Sequence, residues 1–473
     1  MKKFTKILLI GCLLVTVSCN NWLDVGPKSQ VKDKDLFASE MGFKEALSGV
    51  YSLMTKEALY GKELTFGWLG VLGQEWTSVP YNYEDDQKYD FENAASEVRI
   101  DSVWTGLYNA IANANKLLKE LEGKENLFSG DNYFIIKGEV LALRAYLHFD
   151  LLRIFGASCT VGMERIAIPY VTEYAPTIFP QEKVGDFVGK VLKDLQDAAK
   201  CLENDPILTG RTVSEIDDNG YLMNRQVHLN YYAVKGLMAR VYLYKGDYAN
   251  AEVCAKEVIG SGCFEWVKQE NLTNESVADL TFSTEHLFAL NIVTLGNIVD
   301  KYLDGGNNSF ALEESRLSEY YGSSYDYRYL YLFKTGVGMS NTLRYLKKYD
   351  QLESVSWAQS YRNKLPLICL PEMYYILAEC RYHSSGDVLE PLNEVCRHRG
   401  VADLSEADLS AFETLLLAEY RKEVIGGGQL FFQYKRLNRS VVPGTDVDLA
   451  GEGRYVIPMP KEELENPGWV SNQ

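Results

Sequence analysis

Apolar residues recur at helical spacing along most of this chain. Residues 101–121 carry an apolar residue every three or four positions, and residues 183–202 repeat the pattern, so both predict amphipathic helices. Residues 137–156 are apolar almost all round, which predicts a helix buried on most sides. Strand-like sequence is scarce and is confined to residues 287–293 and 454–457. The pattern therefore predicts a mostly α fold.

Two segments have the pattern of a helical hairpin. Residues 228–260 form two helical stretches joined by Gly246-Asp247, and the small residues Ala239 and Ala251 allow the two helices to approach closely. This alternation of small and large positions resembles a tetratricopeptide repeat. Residues 371–399 repeat the pattern with a longer turn. Periodicity alone also fits generic antiparallel helix pairs.

Composition narrows the class of protein. Of 473 residues, 46% are hydrophobic and 24% are charged, which is the balance of a folded globular protein rather than a disordered one. The formal charge of −17 argues against an electrostatic nucleic-acid binder, because such a protein needs a basic surface. The composition is compatible with either a sugar or a peptide as the ligand.

The first residues resemble an export signal. Lys2, Lys3 and Lys6 precede an apolar run at residues 7–17, which is too short to span a bilayer. Val17-Ser18-Cys19 follows and resembles the lipobox of bacterial lipoproteins, although an ordinary secretory peptide is the alternative. We therefore predict a signal peptide at residues 1–18 and lipid attachment at Cys19, which would hold the exported protein to a membrane.

Five motifs follow one another along the chain. They are Cys19 with Leu23-Asp24 and Pro27; Leu143-Arg144-Ala145-Tyr146 with Phe149-Asp150-Leu151; the hairpin at residues 371–400; Arg421-Lys422-Glu423 with Gly428-Gln429 and Lys435-Arg436; and Pro458-Met459-Pro460 with Glu463 and Asn466-Pro467-Gly468. In this order they resemble the motifs of the SusD/RagB family. The resemblance implies one SusD-like α domain over residues 19–473. Its N-terminal part, 19–270, holds TPR-like helices, and 271–473 forms the C-terminal part. The implied fold is a TPR-like helical-hairpin scaffold with long loops and a few short strands.

The resemblance also implies a function. Members of this family are surface lipoproteins that capture a nutrient and pass it to a SusC-like TonB-dependent transporter. An oligosaccharide is the expected ligand, an oligopeptide bound in the manner of RagB is the alternative, and a structural lipoprotein without a ligand would fit the same scaffold. The resemblance also implies a lipid-anchored protein at the outer membrane, exposed on the cell surface, with its membrane contact through Cys19. We expect no nucleic-acid partner.

Motifs for catalysis or metal binding are absent from the sequence. It contains no HExxH, GxSxG, Walker or dinucleotide-binding pattern. One metal-like set, formed by Cys380, His383, Cys396 and His398, has poor angular spacing for a shared site. Acidic residues at 84–90 lack the spacing of a calcium loop. We therefore expect a protein that is not an enzyme and needs no cofactor or metal.

Two aromatic clusters lie outside helical periodicity. One lies within residues 66–89 and the other within residues 320–331. Flat rings on loops stack on pyranose faces, and the family resemblance places a binding site in these two regions, although any single tyrosine more often covers the core. The predicted ligand contacts are Trp68, Trp76, Tyr81, Tyr83, Tyr325 and Tyr327.

Overall fold

The fold is taken from a computed structural model, in which helices dominate. The structure describes residues 34–214, 220–274, 276–336, 342–351 and 361–473. The predicted lipid-attachment residue, Cys19, lies outside these ranges.

Eighteen α-helices have both ends within the described residues. The first nine are α1 (Glu40–Met54), α2 (Trp68–Leu72), α3 (Glu84–Gln87), α4 (Ala94–Leu121), α5 (Asn132–Phe155), α6 (Cys159–Gly162), α7 (Val184–Cys201), α8 (Pro206–Thr209) and α9 (Tyr231–Lys245). The others are α10 (Tyr248–Ile259), α11 (Glu270–Thr273), α12 (Leu295–Tyr302), α13 (Glu314–Tyr321), α14 (Tyr327–Tyr331), α15 (Leu370–His383), α16 (Leu389–His398), α17 (Phe412–Val424) and α18 (Leu430–Arg436).

Five short strands form two small antiparallel sheets. They are β1 (His286–Asn291), β2 (Leu312–Glu313), β3 (Phe333–Thr335), β4 (Leu343–Leu346) and β5 (Lys364–Cys369). β1 pairs with β5, and the second sheet has the order β2-β4-β3. β1 confirms the strand predicted near residue 287.

The strand predicted at residues 454–457 is wrong. Gly453 has a φ of +68°, and the chain there runs through a turn rather than along a strand. The apolar side chains of this segment are buried all the same. The N–H of Ile457 donates to the carbonyl of Ile154, 3.2 Å away near the end of α5. An apolar run next to a helix end therefore gave a strand-like pattern without a partner strand.

The longer helices pack against one another largely in chain order. α4 packs on α5, α5 on α7, and α7 on α9. The contacts continue from α9 to α10, from α10 to α15, and from α15 to α16. This succession of helix pairs fits the predicted TPR-like scaffold.

The first predicted hairpin is present as α9 and α10. Gly246 ends α9 with a φ of +81°, a conformation that favours glycine. Asp247 then caps α10, because its carboxylate accepts the N–H of Asn250 at 3.2 Å. Ala239 and Ala251 are both fully buried. The turn therefore has the role that the sequence predicts, and both small residues are part of the core.

The second hairpin, α15 with α16, has a similar turn. The carboxylate of Asp387 accepts the N–H groups of Leu389 and Glu390 at 3.1 and 3.2 Å. Pro391 lies in the first turn of α16, where a missing N–H costs little.

Helix α5 is buried along almost its whole length because α4 and α7 cover it. Arg144 makes a bidentate pair with Asp194 of α7, with both N–O distances at 2.7 Å. Such pairing compensates two charges that burial would otherwise penalise. Within the described ranges, no helix combines the length and hydrophobicity that a bilayer crossing requires.

Candidate functional site

Two of the predicted ligand contacts, Trp68 and Trp76, belong to the core. Their exposed fractions are 0% and 2%. The indole N–H of Trp68 donates to Asp86 at 2.9 Å, and that of Trp76 donates to the carbonyl of Phe66 at 2.7 Å. Both ring faces are covered by protein, so the prediction that these tryptophans offer a stacking surface is wrong for this structure.

Tyr83 is buried in the same way, with an exposed fraction of 1%. Its hydroxyl donates to Glu63 at 2.8 Å, and the guanidinium of Arg99 lies 3.9 Å from its ring centroid. A cation therefore occupies the face that a sugar would need. The polar neighbours Gln74 and Glu75 are also buried.

Tyr81 and Tyr325 remain candidates for ligand contact. Their exposed fractions are 86% and 76%, whereas Tyr327 is half-buried and donates to Gln269 at 3.2 Å. The first region contacts strand β2, which precedes the second region in the chain, because the N–H of Glu313 donates to the hydroxyl of Thr77 at 2.7 Å. A role for these tyrosines in binding stays a prediction.

The histidines and acidic residues considered as metal ligands in the sequence have other partners in the structure. His383 stacks on Tyr248 with ring centroids 3.9 Å apart, and His398 stacks on Trp266 at 4.7 Å. Asp86 of the acidic segment is buried and paired with Arg99. In the part of the chain that the structure describes, no three His, Cys, Asp or Glu side chains are grouped to hold a metal ion.

A different region forms a ring-lined cavity of about 400 Å³, here called the aromatic cleft. One wall is the middle of α4, the second is the loop after α6, and the third is the C-terminal segment. The lining residues are Trp104, Thr105, Tyr108, Asn109, Pro169, Val171, Thr177, Ile178, Phe179, Glu463, Asn466 and Trp469.

The polar atoms of the three largest rings are satisfied within the protein. Trp104 donates to Glu463 at 2.9 Å, Tyr108 donates to the carbonyl of Pro169 at 2.9 Å, and Trp469 donates to the carbonyl of Phe179 at 3.1 Å. Burial, together with the nearby Glu463 carboxylate, raises the pKa of Tyr108 above its usual range, so its hydroxyl remains a donor. These bonds fix the ring orientations.

The ring faces differ in exposure. Trp104 is 3% exposed and packs at 6.4 Å from Trp469, centroid to centroid. Tyr108, Phe179 and Trp469 are half-buried and present the accessible apolar surface. Thr105 and Asn109 are exposed on the rim and offer a hydroxyl and an amide. Flat rings beside a few polar groups suit a ligand with both apolar faces and hydroxyls.

The chain end holds Trp469 in place. Asn472 donates to the carbonyls of Phe155 and Ile457 at 2.6 and 2.7 Å, and it accepts the N–H of Met459 at 3.1 Å. Gly468, with a φ of +83°, provides the turn before the indole. The Asn-Pro-Gly motif is thus part of the cleft wall.

One carboxylate lines the cleft, and both of its oxygens are in use. Glu463 accepts from Trp104 through one oxygen and from Asn466 at 2.8 Å through the other. Glycoside hydrolysis usually requires two carboxyl groups flanking the bond. In the described part of the cleft, the carboxylate of Glu463 therefore has a structural role, since it orients Trp104 and Asn466.

Sequence reasoning missed this cleft. A usable signal is the pair Trp104 and Tyr108, four residues apart on α4 and therefore on one face. The third ring, Trp469, directly follows the closing motif of the chain. Nothing local predicts that the two segments meet.

Comparisons with known proteins point to one family. Residues 21–243 match a family model of SusD-like proteins described as starch-binding and associating with the outer membrane. SusD-like proteins P38 and P2 of Formosa agariphila are 24% identical over 269 residues and 26% identical over 167 residues. These matches cover 56% and 33% of this chain, and they span 47% and 30% of those relatives. The matched segments are thus half or less of each relative's length.

Solved structures share the fold. A SusD superfamily protein from Bacteroides thetaiotaomicron has a TM-score of 0.73 at 22% identity, covering 92% of this chain and 100% of that one. A SusD-like carbohydrate-binding protein from Bacteroides vulgatus has a TM-score of 0.65 at 17% identity, covering 85% and 84%. A laminarin-binding SusD-like protein has a TM-score of 0.64 at 18% identity, covering 91% and 100%.

Proposed function

We propose that this chain is a SusD-like protein that captures an oligosaccharide at the cell surface and delivers it to a SusC-like TonB-dependent transporter. The observation that supports glycan capture is the aromatic cleft, where ring faces and a polar rim lie together. The family description as starch-binding and the laminarin-binding neighbour support the same ligand class.

We propose binding without cleavage, and the chemistry of the cleft supports this. Its single lining carboxylate, Glu463, orients Trp104 and Asn466 instead of facing a second carboxyl group. A capture protein needs affinity and release, and stacking on a neutral sugar supplies modest, reversible affinity at about 0.5–1.5 kcal/mol per ring contact.

Isothermal titration calorimetry on the full chain tests the capture role. The panel holds laminarin, starch oligosaccharides, other neutral glycans and a set of oligopeptides. We expect heat from at least one neutral glycan, a weaker signal in the Trp469→Ala variant, and no new reducing ends after long incubation. Binding confined to peptides would favour the oligopeptide alternative and contradict the proposal.

Anchoring and delivery need separate experiments. We propose that Cys19 carries the lipid, so Cys19→Ala should release the protein from membranes and abolish incorporation of labelled palmitate. Purification from native membranes should recover a large β-barrel transporter with the wild-type chain. Unchanged membrane partitioning of Cys19→Ala would contradict the lipid anchor. Repeated recovery of the chain without a transporter would contradict the delivery role.

A further inference from the structure

A second cavity lies beside the aromatic cleft on the same helix. It measures about 470 Å³ and lies between the start of α4 and the turn that follows α1. Thr105 and Asn109 line both cavities. The second cavity, here called the α4 groove, adds Lys56, Asp101 and Ser102 to that shared lining.

We infer that the aromatic cleft and the α4 groove form one binding site for an extended, neutral oligosaccharide chain. This inference rests on the proposed function and specifies its ligand. The two cavities meet over Thr105 and Asn109, which are exposed and four residues apart on one helix face. Their side chains offer hydrogen bonds at the point where a sugar chain would cross from rings to groove.

The length of the site supports a chain rather than a single sugar. Asp101 and Asn109 are eight residues apart, which corresponds to about 12 Å along the helix axis. The rings of Tyr108 and Trp469 line the cleft, whereas none of the described residues that line the α4 groove is aromatic. One end of the ligand therefore stacks on rings, and the other end is held through polar contacts.

The charge around the site favours a neutral ligand. Asp101 and Glu463 line the two cavities, and Lys56 is the one cation among the lining residues that the structure describes. Burial and the nearby carboxylates of Glu462 and Glu97 raise the pKa of Asp101, which reports negative potential at this end of α4. Lys461 is paired with Glu97. A sulfated or uronic-acid chain would meet repulsion here.

The first test measures affinity against chain length by calorimetry. The probes are laminari-oligosaccharides and malto-oligosaccharides from the disaccharide to the hexasaccharide, titrated into the full chain. We expect affinity to rise by about tenfold or more along the series that binds, because added sugars reach the groove. Equal affinity of disaccharide and hexasaccharide would overturn the extended site and leave the proposed function intact.

The second test blocks the groove. Ser102→Trp places a large side chain in the α4 groove, outside the aromatic cleft. We expect the hexasaccharide affinity to fall to that of a short chain, while disaccharide affinity is unchanged. Val98→Trp is the matched control, because Val98 is 65% exposed on the same helix and lines neither cavity. Thermal melts of both variants check that the fold is retained.

The third test uses charge. A sulfated laminari-hexasaccharide should bind more weakly than the neutral one, and added salt should narrow the difference by screening. Tighter binding of the sulfated chain would overturn the neutral-ligand part. If Trp469→Ala loses binding at every chain length while Ser102→Trp keeps it, the ligand is confined to the aromatic cleft. That result would overturn the extended site. Failure of both glucan series at all lengths would count against the proposed function itself.

Discussion

The indole N–H of Trp104 donates a 2.9 Å hydrogen bond to the carboxylate of Glu463, although 359 residues separate the two in sequence. The second carboxylate oxygen accepts from Asn466 of the closing Asn-Pro-Gly motif. One side chain therefore connects α4 with the C-terminal segment and sets the distance between two cleft walls. The motif that carries part of the family resemblance thereby acquires a structural role.

Removal of this carboxylate should disturb the cleft. Glu463→Ala leaves the buried indole N–H without its acceptor, which costs about 1–3 kcal/mol of unfolding free energy. It should also weaken glycan binding, since Trp104 and Asn466 lose their common partner. Thermal melts and calorimetry measure both effects. Glu462→Ala, at an exposed neighbouring position, is the control and should change neither.

Trp68 should behave as a core residue. Trp68→Ala removes a fully buried indole and leaves the carboxylate of Asp86 without that donor, so we expect a loss of about 3–5 kcal/mol in chemical denaturation. The exposed Tyr81 provides the comparison, because Tyr81→Ala should leave stability nearly unchanged. Near-equal stabilities of the two variants would contradict the burial of Trp68.

The hairpin of α9 and α10 predicts an overpacking effect. Ala251 is fully buried on α10, which packs against α9 and α15, so Ala251→Leu should lower the free energy of unfolding by about 1–3 kcal/mol. Val253→Leu on the exposed face of the same helix is the matched control. A neutral result for Ala251→Leu would show that the two helices do not approach as closely as described.

The buried carboxyl group of Glu75 should make the free energy of unfolding depend on pH. Burial raises its pKa to about 8, from an ordinary value near 4.5. Between pH 4.5 and about pH 8, the carboxyl group of Glu75 is deprotonated in the unfolded chain but keeps its proton in the folded chain. The free energy of unfolding therefore decreases as the pH rises through this range. Glu75→Gln lacks this effect and still offers an oxygen to the N–H of Gly426, which lies 2.7 Å from the carboxylate.

The measurement is a series of thermal melts from pH 4.5 to pH 8. The Glu75→Gln variant should gain stability over the wild type as pH increases, and the difference should be smallest at the acidic end. A difference that stays constant with pH would show that Glu75 titrates alike in both states.

The helices and hairpins were predictable because their signals are local. Apolar spacing predicts α4, α5 and α7, and the Gly246-Asp247 dipeptide predicts the turn between α9 and α10 through its backbone preference and its capping carboxylate. These features depend on neighbours within a few residues.

The candidate site depends on distant contacts, which a sequence pattern does not contain. Aromatic residues outside helical periodicity, such as Trp68 and Trp76, suggested exposed loops, but their N–H groups find acceptors inside the core. The cleft instead joins α4 to Glu463 and Trp469 near the end of the chain. Its rings look like ordinary helix and tail residues until the fold brings them together.

The central claim is that a neutral glycan stacks on Trp469. Fluorine NMR of the 5-fluorotryptophan-labelled chain tests it, with the Trp469 signal assigned from its loss in Trp469→Phe. During titration with the laminari- or malto-hexasaccharide that binds, we expect the Trp469 resonance to shift with saturation, while the buried Trp68 and Trp76 resonances stay in place. Saturable binding that leaves the Trp469 resonance unmoved would contradict the account.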